Sequence, residues 1–314
     1  MPGRTRAAGA AGGADRGGRG WWVALLVMVL IAGLLVAAGL YVLSKFTRLS
    51  LFNPAGCTAT ANGVQVGLAL DQTQDASVIA AVGRRLGVPI FGIEVAEATS
   101  MQESKLENID YGDRDSLGLF QQRPSQGWGT AADIMNPVYS STKFFQALVA
   151  VPNWKNLTLA QAAQAVQRSA DGSAYTSHQA DATVLATVFT GAAGAGLTCT
   201  LDGPTFAAQS PGSNGLTPQA SAYAAAFDSE LGTLSLQNVS SGGTTFDIPV
   251  PSSSAVTGWS YANWSVAQAE SLGVVTVTYD GKTWSAAQGS SGWQSVTDAP
   301  ANAGEVQIGM TTTD

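Results

Sequence analysis

An α+β chain is predicted by three observations. A 23-residue run without charge opens it, apolar residues at three- and four-residue spacing fill the stretch between two cysteines, and short alternating runs replace that spacing towards the end. These imply an N-terminal transmembrane helix, a mainly α domain and a small C-terminal α/β domain.

Residues 1–20 are a Gly/Ala/Arg tail that reads as disordered and cytoplasmic. Residues 21–43, WWVALLVMVLIAGLLVAAGLYVL, carry no charge. Roughly 20 apolar residues span a bilayer, so the segment reads as a single lipid-embedded helix, longer than the ~7–15 apolar residues of a cleaved signal. Arg4, Arg6, Arg16 and Arg19 precede it, whereas only Lys45 and Arg48 follow closely. That bias keeps the N-terminus in the cytoplasm and predicts a single-pass cell-membrane protein with its C-terminal domains outside.

Residues 44–56 then form a stalk, 57–200 the helical domain, 201–216 a Pro/Gly/Ser linker and 217–314 the accessory domain. Cys57 and Cys199 are the two cysteines of the chain. Outside the membrane they read as one structural disulfide, and they lack the Cys-x-x-Cys spacing of a metal or redox pair. His178 is the one histidine, too few ligands for a zinc site, so neither metal nor cofactor is expected. The net charge of −7 and the lack of a basic cluster beyond the tail exclude nucleic acid as a partner.

Helical spacing runs through DASVIAAVGRRLG, PIFGIEVAEATSMQESKL, NPVYSSTKFFQALVAV and TLAQAAQAVQRSA. Further on, Thr217 and Pro218 open a helix that Gly232 closes, TTFDIPV and VVTVTY read as strands, SYANWSVAQAESLG as a helix, and Asp280-Gly281 as a hairpin turn. Polar chemistry concentrates in residues 100–130, SMQESKLENIDYGDRDSLGLFQQRPSQGWGT. There Glu103 ends a helix, where the dipole's negative pole and apolar Met101 and Leu106 favour the protonated carboxyl that a general acid needs.

MQESKL followed by SLGLFQQ resembles the Glu-Ser and Gly-Leu-Met-Gln boxes of soluble lytic transglycosylases and goose-type lysozymes, and is similar to actinobacterial membrane-anchored lysozyme-like proteins. The resemblance implies a lysozyme-like domain that cuts peptidoglycan glycan strands. Glu103 takes the place of the catalytic acid, and Ser104, Gly118, Leu119, Phe120, Gln121, Gln122 and Gln167 that of substrate-binding residues. The family's third box, Ala-Tyr-Asn, is replaced by Val166-Gln167, with Tyr175 nearby but out of register. A second carboxylate is required if water attacks, and Asp113 or Asp115 could supply it. It is not required if the 6-hydroxyl of the same N-acetylmuramic acid attacks. The three aspartates Asp110, Asp113 and Asp115 read equally as turn formers.

Residues from TTFDIPVP to AGEVQIGM resemble zinc peptidases of the D,D-carboxypeptidase type, but Glu305-Val306-Gln307 stands where their His-x-His lies and Asp247 alone matches a ligand. A metal-free binding or spacing module follows. The implied partners are peptidoglycan glycan strands, the lipid bilayer through residues 21–43, and proteins of the cell envelope. The competing function is a catalytically silent wall-binding scaffold of a division, secretion or DNA-transfer complex.

Overall fold

Period-two burial opens the described part of the chain, in a stretch of small residues. Gly-Cys-Thr-Ala-Thr-Ala buries alternate side chains and forms β1 (Gly56–Ala61), which turns through Asn62 and Gly63, both at positive φ, into β2 (Val64–Leu68). The computed structural model describes Met28 and residues 55–168, 172–203, 209–296 and 304–311. Helices follow as α1 (Leu70–Arg85), α2 (Ile90–Ser104), α3 (Ala131–Ile134), α4 (Pro137–Ala150) and α5 (Leu159–Gln167). A 3₁₀ helix (Gly172–His178) leads to α6 (Gln179–Phe189), and β3 (Leu197–Thr200) returns beside β1. The starts of α4 and α5 are capped: Asn136 accepts from the amides of Val138 and Tyr139 ahead of Pro137, and Thr158 exchanges bonds with Gln161.

The second half comprises α7 (Pro218–Glu230), β4 (Thr245–Pro249), α8 (Ala255–Ala267), α9 (Ala269–Leu272), β5 (Val274–Tyr279), β6 (Lys282–Ser285), β7 (Gln294–Ser295) and β8 (Glu305–Met310). Thr217 caps α7 through its hydroxyl, and Asp280-Gly281 makes the tight β5–β6 turn.

The expected fold class needs correction on the strands. Two antiparallel sheets are present, β2-β1-β3 and β4-β8-β5-β6-β7. The first sits inside the region expected to be mainly helical, and the second has no parallel pair, so the C-terminal region is not α/β and the whole is mixed α+β. Small residues make up β1, and β2 and β3 are only five and four residues long, which mutes the alternation in the sequence.

The single-pass, membrane-anchored expectation is corrected as well. Among the described residues no helix is long and apolar enough to cross a membrane. The longest of these, α1, has 16 residues and a polar face, short of the ~20 that a bilayer requires. The segment 21–43 on which the expectation stood lies, Met28 apart, outside the described residues, as do the tail and all but two residues of the proposed stalk.

Cys57 lies directly opposite Cys199 in the β1–β3 register, and the two are disulfide-bonded. The bridge spans 142 residues of chain, and closing so long a loop stabilises by up to about 4–5 kcal/mol in the chain-entropy model.

Both sides of the 201–216 segment belong to one compact unit, Ala55–Asp314. Buried amides join them: Asn263 donates to the carbonyls of Val188 and Gly194 (both 2.9 Å), and Gln268 donates to Ser77 Oγ at 3.1 Å. Trp293 Nε1 donates to Leu197 O at 2.7 Å, closing the second sheet region over β3. Gly289 is required there, since a Cβ would come within 1.9 Å of Cys199 O.

Candidate active-site cleft

The end of α2 sets the site. Six residues at 100° each separate Glu97 from Glu103, so the two carboxyls point about 120° apart round the helix. Glu97 faces the core, fully buried, whereas Glu103 is half-buried at the last turn. Lys105 and Leu106 then adopt left-handed conformations, their amides return to Met101 O and Ser100 O, and the helix stops.

The Gly-Leu-Phe-Gln box forms a tight loop between Leu117 and Gln122, which exchange backbone hydrogen bonds at 2.9 and 3.0 Å. Gly118 takes φ +71°, and a Cβ there would lie 2.9 Å from Ile134 O, so the close approach it permits is to the protein's own backbone. Leu119 and Phe120 are fully buried, with Phe120 stacked on Phe144 at 4.5 Å between ring centroids. Their carbonyls are used in turn: Ser104 Oγ donates to Leu119 O at 2.9 Å and Gln167 Nε2 to Phe120 O at 2.8 Å. Thus the residue after the acid and the amide ending α5 clamp the loop from opposite sides. Gln122 is buried and donates to Ser140 O at 3.1 Å, while Gln121, at φ +47°, donates to Tyr111 O at 3.2 Å.

Glu103 lines a cleft of about 1140 Å³ together with Asp113, Gln121, Trp128, Gln167 and three arginines, Arg114, Arg123 and Arg168. Tyr175, buried in the 3₁₀ helix, donates its hydroxyl to Glu103 Oε1 at 2.6 Å. In the sequence Tyr175 reads only as out of register with the Ala-Tyr-Asn box. It comes from the next segment, eight residues past Gln167. Beside it His178 Nε2 lies 3.1 Å from Gln102 Oε1.

Of the residues expected to touch substrate, Gln121 and Gln167 reach the cleft with Glu103, whereas Ser104, Leu119, Phe120 and Gln122 are turned into the supporting layer. The two candidate second acids separate. Asp115 accepts from Arg123 Nε at 2.7 Å and from Ser125 N and Oγ at 2.8 and 3.0 Å, and these bonds, Arg123's first, hold its carboxyl well below the usual range. Asp113 lines the cleft, exposed, 3.8 Å from Arg114.

In the C-terminal region Asp247 is buried and accepts from Asn238 Nδ2 at 2.7 Å and Gln307 Nε2 at 3.3 Å. Among the described residues no group of three or more His, Cys, Asp or Glu could hold a metal ion. Residues 213–305 match the family model described as VldE, C-terminal domain. That match runs from before α7 to the first residue of β8 and includes no residue that lines the cleft. No curated protein matches the chain.

Proposed function

We propose that this protein cleaves the β-1,4 bond between N-acetylmuramic acid and N-acetylglucosamine in peptidoglycan, with Glu103 as general acid and then base. One observation carries the reading: a helix-end carboxyl, held by the Tyr175 hydroxyl at 2.6 Å, lines a cleft large enough for several sugar rings beside the amides of Gln121 and Gln167. The sequence resemblance supplies the substrate class. The hydroxyl of Tyr175 fixes one carboxyl oxygen, which orients the other oxygen's proton towards the bridging glycosidic oxygen.

Protonation lets the C1–O bond break with its electron pair passing to the leaving oxygen. The 6-hydroxyl of the same N-acetylmuramic acid then attacks C1, and its proton returns to Glu103. This route needs one carboxylate; Asp115 is committed to Arg123 and does not line the cleft, which leaves Asp113 as the acid to test against it. Mass spectrometry of digested peptidoglycan reads the product, with 1,6-anhydro ends for this route and reducing ends for attack by water. Release of neither product by the wild-type chain sinks the reading and returns the protein to a scaffold role.

A further inference from the structure

Residues 55–314 contain five arginines, Arg84, Arg85, Arg114, Arg123 and Arg168, and three of them line the Glu103 cleft. The other two serve packing: Arg84 lies over the Tyr261 ring and Arg85 donates to Glu230 O. The cleft thus gathers three of these five guanidinium groups, with Glu103 and Asp113 as the acids of the same lining. The three cleft arginines are not equivalent. Arg123 is half-buried and spent on Asp115 at 2.7 Å. Among the described residues Arg114 pairs with Asp113 alone, at 3.8 Å with both side chains well exposed, a pair that water and salt largely screen. Arg168 is exposed and makes no ion pair among the described residues.

The backbone beneath these two is set. Arg168 ends α5 in the left-handed conformation, its amide bonded to Gln164 O at 2.8 Å, directly after the Gln167 that clamps Phe120 O. Arg114 is likewise at positive φ, in the loop that carries Asp113 to the cleft. Two fixed stems therefore present guanidinium forks into the space where the substrate lies. A guanidinium matches a carboxylate in plane and spacing, and gains most where its own protein partners are weak.

We propose that Arg114 and Arg168 make the cleft selective for glycan that carries carboxylates beside the scissile bond, against uncharged glycan. The inference rests on the glycan reading of the cleft and adds what distinguishes one glycan from another. Such a carboxylate has two sources in peptidoglycan: the lactyl group of N-acetylmuramic acid once its peptide is removed, and the stem peptide itself while attached.

The test is equilibrium binding to the full chain carrying Glu103→Gln, which leaves the ligands intact. Three probes are titrated: a tetrasaccharide of alternating N-acetylglucosamine and N-acetylmuramic acid with free lactyl groups, the same with stem peptides, and uncharged chitotetraose. A carboxylate-bearing tetrasaccharide is expected to bind about tenfold more tightly than chitotetraose, with Arg168→Gln or Arg114→Gln removing most of that margin and leaving chitotetraose unchanged. Added salt should narrow the margin too. Tighter binding of the stem-bearing probe assigns the contact to the peptide carboxylates, and tighter binding of the denuded probe assigns it to the lactyl group.

Equal binding of charged and uncharged probes, or equal losses on all three in the arginine variants, overturns the proposal, as does failure of every probe to bind. Cleavage by wild type without any preference for charge would remove this inference and keep the proposed activity. Preference for charge in a chain that never cleaves would do the reverse.

Discussion

Glu97 and Glu103 lie on one helix, and the contrast between them separates a carboxyl that the fold tolerates from one that it presents. Glu97 is fully buried, and neither of its oxygens has a hydrogen-bond partner. Burial, with Asp75 adding repulsion, pushes its carboxyl well above the usual range, so it sits in the core as a neutral acid. Asp75 and Glu230 belong with it: burial raises each to about 7, against bonds from the Asn108 amide and from Trp264 Nε1 respectively that pull the other way. Glu103 differs in having a hydroxyl partner and a cleft. Access, combined with a held orientation, is what marks the site.

The comparison breaks or holds first on a pair of amide substitutions. Glu103→Gln should lower turnover by about 10²–10⁴-fold with little change in melting temperature, because a positioned proton donor is lost and no core contact is. Glu97→Gln should keep turnover within a few-fold and lower stability by roughly 1–3 kcal/mol, since a buried amide without partners replaces a neutral acid. Assays of digested peptidoglycan alongside thermal melts would show it. A Glu97 variant that is folded but inactive would collapse the distinction.

The next effect is pH dependence of stability, and its sign follows from raised carboxyls. Asp75 has an ordinary value of 3.8 and a folded one of about 7. The fold accommodates its protonated form, so this contribution is complete below about pH 4 and is lost as pH rises through about 7. For Asp75 alone it amounts to roughly 4 kcal/mol at most. Asp115 has the opposite sign, its stabilisation being lost only in strong acid. Urea melts of wild type and Asp75→Asn across pH 4–8 isolate the term: the wild-type advantage should shrink as pH rises, and a parallel pair of curves would show that Asp75 is ionised in the core.

Tyr175→Phe sharpens the other half of the contrast. Loss of the hydroxyl at 2.6 Å from Glu103 should reduce kcat about tenfold with KM nearly unchanged, since the ring remains to fill its buried place. An unchanged kcat would mean that the carboxyl is oriented without it.

Strong signals in the sequence had a strong physical cause. Four helices of the first region, α1, α2, α4 and α5, and the Thr217–Pro218 start are legible because apolar spacing and, at α4, α5 and α7, caps act within one turn, whereas the 11-residue α6 is not legible. The Asp280-Gly281 hairpin is legible because both residues must take positive φ. What escaped is long-range or weakly patterned. The Cys57–Cys199 link is legible from the cysteine count, but the strands it joins, β1 and β3, are not. Tyr175 reaches Glu103 across 72 residues from a 3₁₀ helix, so no spacing in the sequence could place it. In the site, the box was legible as a unit but not by role. Leu119 and Phe120 read as substrate contacts, whereas their side chains are core and their carbonyls hold Ser104 and Gln167.

The smallest effect concerns Asp113, the exposed acid opposite in character to Glu97. Its side chain is 88% exposed, and its partner Arg114 is 3.8 Å away, so it is open to water and could serve as a base if water were the nucleophile. On the intramolecular route nothing remains for it to do, and Asp113→Asn should change kcat by less than about threefold, while products keep their 1,6-anhydro ends. Asp115→Asn is the control for the loop. It removes a carboxylate that accepts from Arg123 and Ser125, so its effect should appear in local order, read as faster amide exchange at Ser125. A fall of 10²-fold or more in Asp113→Asn, with reducing ends in the wild-type products, would instead make Asp113 the second carboxylate of a hydrolase. The cleft would then work with two acids, one held by a tyrosine and one free in water.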